Sequence, residues 1–577
     1  MFFRVKASAD RRYLQIVENT RDGAKTRQTV LATLGRAEEL QASGKLDALL
    51  RSGARLCETA MVLSGLKDGT LEAVSTRRIG APLVFERLWA ESGCQSVINE
   101  LLAGRQFAFP VERAVFVSVL HRLMVSGSDR ACDRWLEAYR VGGAEEIDLH
   151  HLYRAMVWLG EVLSDQAGAT HAPRRVKDLI EERLFARRRT LFSDLSVVLF
   201  DTTSLYFYGA GGSFGRRGKT KDHRPDLRQV VVGVVLDNEG RPICSETWSG
   251  NTADVTALMP VVDRLSKRFS IHRMCVVADR GMISAETIAE LEKRGIDYIL
   301  GAGERSNKEV RDVVLADTKP GVPLTIRRAR DKETDIEVKE VLVDDPEGGG
   351  KRRYVVCFNP KEAARDAAAR AEIVDSLGRK LADGDKQLVG NTGYRRYLKT
   401  PRGGHFEIDP QRVAEDARFD GIYVLRTNSR LPTLSVALAY RQLWRVEQIF
   451  RTAKSILETR PIFHQCNAAI VGHLFCSFLA LLLRKDLDDR LAALGANPEW
   501  ADIVRELDRV EEVTVVQPDK RFLLRSQAPA NAAAVFKAVG VALPPLARQI
   551  PSATAPPNRA VPPNRRRGRP RRGATSA

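Results

Sequence analysis

The 577-residue chain is short of the signatures that would fix its class at once. Its eight cysteines, at 57, 94, 132, 244, 275, 357, 466 and 476, include no CxxC pair. That excludes a paired-cysteine framework and suits free thiols in a reducing cytosol. The opening MFFRVKASADRRY has no apolar core long enough for a signal peptide. The most apolar run, residues 473–483, is too short for the roughly 20 residues that cross a bilayer and reads as a buried helix. Neither a basic amphipathic helix nor a lipidation motif stands out, so no membrane partner is expected. Tandem repeats and a recognisable helix-turn-helix are also missing. Gly218-Lys219-Thr220 comes close to a phosphate-binding loop, but the earlier glycine would stand at 213, which is Ser213. A strand rather than a helix follows, so an NTPase is not expected. A flexible basic loop touching DNA is the better reading.

What the chain does have is positive charge. The formal net charge is +18 and the pI about 9.6, with 44% hydrophobic and 28% charged residues. This is a globular composition whose charge favours a polyanion, nucleic acid first. The length leaves room for roughly three to five domains. Residues 551–577 hold seven arginines and no acidic residue, and the rest of the chain stays at +11 without them. Such a tail is expected to be disordered when free.

Residues 1–36 read as short strands at 2–5, 13–18 and 27–34, with Asp22-Gly23 as a turn. Residues 37–193 read as a mostly helical DNA-binding region, with helices at 114–125, 133–139 and 152–163. From 194 to 304 the period changes. Strands are expected at 196–207, 229–237 and 242–248, a helix at 254–269, a strand at 274–278, a helix at 284–294 and a strand at 297–300. The order β-β-β-α-β-α-β predicts an α/β domain, a mixed sheet with helices on its faces. Residues 305–430 read as a strand-rich insertion that also holds a charged helix, 361–381. Residues 431–490 return to the core with helices 433–460 and 468–484, and 491–550 read as a helical C-terminal region.

The segment 433–460 carries the most information. Tyr440, Glu447 and Lys454 recur every seven residues, close to two helical turns, with Trp444 and Arg451 on the same face. A second stripe, Leu443, Val446, Phe450, Ala453 and Leu457, is apolar. One flank of the expected helix packs on a core while the other offers a carboxylate among cations and aromatics. Two further carboxylates sit in strands. Asp201 lies inside VVLFDTTSLYF, where a charge is costly unless paired or metal-bound, and Asp279 ends MCVVADRG. If the first and fourth strands are neighbours, Asp201 and Asp279 meet, and Glu447 joins them from the helix. Three such carboxylates form an oxygen-only site suited to Mg²⁺ or Mn²⁺. Two ions about 3.5–4 Å apart activate an attacking oxygen and stabilise the leaving oxygen of a phosphodiester. The plain alternatives are a locally hydrogen-bonded Asp201, a capping Asp279 and a solvated Glu447–Lys454 face.

These pieces resemble a family. FDTTSLYF around Asp201, VVADRGMIS around Asp279, WSGNTADVTAL at 248–258 and YRQLWRVEQIFRTAKSILETRP around Glu447 are similar to the DDE transposases of bacterial insertion sequences. The match is to the insertion-sequence-four group with its Tyr-x2-Arg-x3-Glu-x6-Lys signature. The resemblance covers roughly residues 195–485 and implies an RNase H-like core, related to retroviral integrases. It implies that Asp201, Asp279 and Glu447 are catalytic metal ligands and that Tyr440 and Lys454 hold DNA phosphates. The implied activity is binding of the element's inverted repeats, cleavage at the 3′ ends and joining of the 3′-hydroxyls to target DNA, by a homodimer pairing two ends. A bacterial cytosolic, nucleoid-associated location follows. Glu447 lies 168 residues after Asp279, enough for the family's strand-rich insertion. The signature arginine is replaced by Leu443, leaving Arg441, Arg445 or Arg451 to supply the charge.

Three smaller motifs complete the reading. His464, Cys466, His473 and Cys476 match no common zinc spacing and sit in a core-like run, so buried cysteine and satisfied histidine are expected. Arg567-Gly568-Arg569-Pro570 resembles an AT-hook reading the minor groove, or else serves as a non-specific polybasic tail. Residues 394–399, YRRYLK, interleave aromatics with bases, as a DNA contact or as a solvated loop. The rival functions are a nuclease of the same core that cuts without joining, and a non-catalytic DNA-binding descendant.

Overall fold

In the computed structural model, described over residues 2–8, 11–22, 25–54, 72–166, 172–188, 197–271, 273–282, 284–305, 307–328, 332–345, 350–383, 392–400, 406–517 and 520–551, the apolar runs of the middle of the chain pair into one nine-stranded sheet. Its strands are β1 (Val197–Tyr206), β2 (Gln229–Leu236), β3 (Pro242–Ser249), β4 (Cys275–Ala278), β5 (Asp297–Ala302), β6 (Val322–Arg328), β7 (Lys332–Asp344), β8 (Lys351–Phe358) and β9 (Ile422–Thr427). The spatial order is β6-β7-β8-β9-β5-β4-β1-β2-β3. β4 runs parallel to both β1 and β5, and every other pairing is antiparallel. The four strands from the expected insertion extend this same sheet, because β9 covers the free edge that β5 would otherwise expose.

Helices cover both faces, so β2 and β4 read as nearly continuous apolar runs, while β1 is apolar at both ends and polar over residues 201–204. On one face Val198, Phe200, Val235 and Val276 pack with Ala257, Leu258, Val261 and Leu265 of helix α4 (Asp254–Arg268) and Ile288 and Leu291 of α5 (Ala285–Lys293). The preceding helical segment includes α1 (Val111–Met124), α2 (Leu149–Leu159) and α3 (Val176–Arg188). On the other face Thr203, Leu205, Val232 and Val234 meet Phe450 and Ala453 of α8 (Trp444–Ser455) and Phe475 and Phe478 of α9 (Asn467–Ala493). Between them in sequence lie α6 (Pro360–Asp383) and α7 (Thr433–Arg441). The 27-residue α9 is apolar and long enough to cross a membrane, but 83% of its most apolar window is buried, so it is a core helix. It packs on α1 and α2, and Gly472 allows close approach: a Cβ there would lie 2.0 Å from the Met156 carbonyl oxygen.

The chain divides into two compact units, and everything above belongs to the larger, Ala81–Glu499 with Ala534–Val541. The smaller holds Met1–Gly80, Trp500–Ala533 and Ala542–Ala577. Phe2–Ser8, Arg11–Asp22 and Lys25–Arg36 form an antiparallel three-stranded sheet in it. A four-stranded sheet runs in the order Ala547–Ile550, Lys520–Arg525, Glu511–Gln517, Glu72–Arg78. Two sequence expectations are corrected here. The mostly helical region after residue 37 contains the strand Glu72–Arg78, and the helical C-terminal region contains three strands. Glu72–Arg78 finds its partner, Glu511–Gln517, more than 400 residues away, a pairing no local pattern reveals.

A third correction concerns 433–460. It is not one helix: α7 ends at Arg441 and α8 begins at Trp444. Gln442, Leu443, Arg445 and Val446 donate to carbonyls three residues back, so the chain tightens there and the heptad stripe is interrupted.

Candidate active site

Asp201 sits in the middle of β1, opposite Val234 of β2. The parallel ladder to β4 pairs Phe200 with Ala278, so Asp279, the residue after β4, continues the register beside Asp201. The expected neighbouring of these strands is therefore found. Asp201 belongs to the same β1 face as Thr203 and Leu205, the face covered by α8 and α9. Its Oδ1 accepts the Thr202 N–H at 2.7 Å. Burial pushes its carboxyl up to about 6, against Lys221 and the Thr202 N–H, with the Asp279 and Asp254 charges adding to the rise.

A third aspartate, Asp254, enters from the first turn of α4. Its Oδ1 accepts the Thr202 hydroxyl at 2.5 Å. Asp254 lies in the quoted WSGNTADVTAL segment, yet nothing in its spacing marked it as a site residue. The β1–β2 excursion brings in a cation: Lys221 Nζ stands 3.4 Å from Asp254 Oδ2 and 3.8 Å from Asp201 Oδ1. This excursion is the basic loop expected to be flexible. It is tied down instead, by Tyr208 N–H to the Ile462 carbonyl at 3.0 Å, Ser213 N–H to Asn467 Oδ1 at 2.9 Å and Gly211 N–H to Gln465 Oε1 at 3.2 Å. Arg216, Arg217, Lys219 and Arg228 remain exposed on it.

Asp279 is exposed, and its Oδ1 accepts the Tyr440 hydroxyl at 3.1 Å. Burial and the Asp279 charge raise the Tyr440 phenol far above its ordinary range, so it stays a donor. Beside it Arg280, Ser284, Asn307 and Arg426 line a cleft of about 410 Å³. Arg280 is 63% exposed there, placing positive charge at the rim.

The expected apolar stripe, Leu443, Val446, Phe450, Ala453 and Leu457, is buried throughout. Trp444, Glu447, Gln448 and Arg451 form the exposed face of α8. Neither Glu447 nor Arg451 has a side-chain hydrogen bond or ion pair among the described residues. Asp201, Asp279 and Glu447 do not all approach within 4.8 Å of one another; among the described residues the one such group of three His, Cys, Asp or Glu is Asp148, His150 and His151, a surface cluster at the start of α2. Lys454 is largely buried and its ammonium goes to Asp222 Oδ1 at 2.8 Å. Burial pulls its pKa down and Asp222 opposes that. Of the arginines offered for the Leu443 position, Arg445 donates to the Asn238 carbonyl at 2.7 Å, which leaves Arg451 as the exposed one on α8.

His473 is buried, with Nδ1 2.9 Å from Arg122 and Nε2 3.0 Å from the Thr459 carbonyl, and Cys476 is buried. His464 pairs instead with Asp129 at 3.2 Å, so no zinc quartet forms from these four. In 394–399, Tyr397 is fully buried and donates to Asp416 at 2.6 Å, so that ring is not offered to a base. Arg567 and Arg569 lie outside the described residues.

A family model described as the transposase DDE domain matches residues 192–483, half of the chain and the whole of this site. A second, described as the N-terminal domain of the IS1634 family of transposases, matches residues 3–63. No curated protein matches the chain.

Proposed function

Because the chain belongs to the DDE transposases of insertion sequences, we propose that it binds the inverted-repeat ends of its own element, cuts the DNA there and joins the freed 3′-hydroxyls to target DNA. The observation that carries this reading is the register placing Asp201 and Asp279 side by side on parallel neighbours, within the matched segment. The order β3-β2-β1-β4-β5, with β2 alone reversed, supports an RNase H-like core.

The family generally works with divalent metal ions. The donors fit one: Asp201, Asp254 and Asp279 offer only hard oxygens, and the Lys221 ammonium already rests among two of them as a positive charge. In this reading Asp201, Asp279 and Glu447 hold Mg²⁺ or Mn²⁺, which, when bound, supplies charge stabilisation for phosphodiester transfer. Tyr440 fixes one oxygen of Asp279 and so orients its carboxylate. Arg451 and the exposed loop cations meet the DNA backbone, which positions the duplex without reading its sequence. Lys454 reaches a phosphate only if its pairing with Asp222 opens. The strand-rich start of the chain, within the IS1634-type segment, and the helices up to α3 supply end recognition, the arginine-rich tail with Arg567 and Arg569 adds affinity, and two copies pair two ends in the bacterial cytosol at the nucleoid.

The test is a plasmid carrying the gene's native flanks, incubated with purified protein and Mg²⁺, with 3′ ends mapped at the flank junctions. Cuts at the junctions and joining to other DNA are expected, both lost in Asp201→Asn, Asp279→Asn and Glu447→Gln. Cutting without joining makes the protein a nuclease, binding without cutting a DNA-binding protein, and survival of one substitution removes that carboxylate from the site.

A further inference from the structure

The dipeptide Lys221-Asp222 touches both halves of the site. Lys221 Nζ donates to the Thr202 carbonyl at 2.7 Å and to the Thr202 hydroxyl at 3.1 Å. Its own N–H donates to Ser204 Oγ at 2.8 Å, which pins the backbone along β1. Its ammonium reaches the carboxylates of Asp201 and Asp254 only at 3.8 and 3.4 Å, so it is hydrogen-bonded by neutral oxygens and neutralises the acids by proximity. One residue on, the Asp222 side chain is 4% exposed and lies between two cations, Lys454 Nζ at 2.8 Å and Arg460 Nε at 3.2 Å. Arg460 also lies over the Tyr206 ring at 5.6 Å. Those two cations pair this buried carboxylate, and breaking such a pairing is costly. The anchor therefore holds the loop where Lys221 reaches the acids.

We propose that Lys221 is a counter-cation built into the carboxylate site, seated by the Asp222–Lys454–Arg460 anchor, and that a divalent cation binds there by displacing it. The proposal rests on the reading that these carboxylates take a divalent cation. An ammonium 3.8 Å from Asp201 and a metal ion held by the same carboxylate meet strong like-charge repulsion in a partly buried site. Lys221 thus keeps acids on adjacent elements compatible before metal arrives. It also sets a threshold: metal must compete with a tethered cation. Lys454, expected to grip DNA, acts here as a positioning residue through Asp222.

The experiment is Mn²⁺ titration of DNA-free, full-length protein, followed by the electron paramagnetic resonance of free Mn²⁺. Wild type is compared with Lys221→Met, Lys221→Arg, Asp222→Asn and Asp201→Asn, each first shown to be folded by thermal melting. Lys221→Met is expected to bind Mn²⁺ about tenfold tighter or more, since removing one like charge nearby is worth at least that factor. Lys221→Arg keeps the charge and stays near wild type. Asp222→Asn loosens the anchor and moves towards Lys221→Met with its own lysine intact. Equal or weaker binding by both Lys221→Met and Asp222→Asn, with binding still lost in Asp201→Asn, overturns the counter-cation and leaves the metal site standing. Unchanged binding in Asp201→Asn overturns the metal reading itself.

Discussion

Tyr440 donates its phenolic hydrogen to Asp279 Oδ1 at 3.1 Å, and there is room for that hydroxyl because residue 301 is glycine. A Cβ at Gly301 would stand 2.5 Å from the Tyr440 oxygen. The two positions therefore act on Asp279 as one unit, although they come from α7 and β5. Tyr440→Phe is expected to lower end cleavage about 10–100-fold, the usual range for losing an outer partner of a metal-binding carboxylate. Gly301→Ala should cost a similar factor by pushing the hydroxyl aside. In the Tyr440→Phe background it should cost less, because the nearest atom is gone and only the ring Cζ and the Arg280 N, each at 3.2 Å, must give. Cleavage rates of the two single variants and the double variant decide this, and additive losses would separate the residues.

Asp201 is maintained at a cost to stability. Its folded carboxyl is raised to about 6 from an ordinary value of 3.8. Between those values the unfolded chain releases a proton that the native protein keeps, so stability falls as pH rises through roughly pH 4 to 6. The full penalty above pH 6 is about 2–3 kcal/mol at one carboxyl, counting about 1.4 kcal/mol per pH unit. Asp201→Asn should therefore raise the urea midpoint at pH 7.5 and leave it nearly unchanged at pH 4, while Thr202 keeps its partner through Oδ1. A variant that is less stable than wild type at pH 7.5 would contradict this assignment.

Leu443 fills the position where the family signature carries arginine, and the structure separates the substitutes. Arg445 is spent on the Asn238 carbonyl, whereas Arg451 is exposed beside Glu447. Arg451→Ala is expected to weaken duplex binding across sequences and to reduce the slope of log affinity against log salt by about 1, as loss of one phosphate contact does. Arg445→Ala should leave that slope unchanged. Fluorescence anisotropy over a salt series with metal-free protein reads both.

What the residues alone revealed, and what they hid, divides by range of interaction. The strands bearing Asp201 and Asp279 and the buried stripe from Leu443 to Leu457 were legible because period and apolar content are local. The break at Gln442–Leu443 was not, since no glycine or proline marks it and both flanks are good helix formers. Asp254 looked like an ordinary residue in the first turn of a helix, and its tie to Thr202 exists only once α4 folds against β1. The phosphate-loop resemblance singles out Lys219, not Lys221, whose place beside two acids depends on Asp222 meeting Lys454 and Arg460 from distant parts of the chain.

A buried charge network lies at the other end of the helix that carries Asp254. Arg264 is fully buried and pairs with Asp178 at 2.8 Å, with Glu246 at 2.5 Å and with Glu181, while Lys177 pairs with Asp178 at 2.7 Å. The network joins α3, α4 and β3, and its cations hold Asp178 well below the usual carboxylate range despite burial. Removing the central cation leaves Glu246 without it and leaves Asp178 and Glu181 to share Lys177, with Arg268 as the one further cation on Asp178. Arg264→Met should cost about 3–5 kcal/mol in urea unfolding at pH 7. Replacing Glu181 by Gln as well should recover part of it, because Lys177 still pairs with Asp178 and one buried acid fewer is left short of a cation. A loss below about 1 kcal/mol in the single variant would show that Lys177 and Arg268 suffice for those acids. In that event α4, and Asp254 with it, would owe its position to the apolar packing of Leu258, Val261 and Leu265.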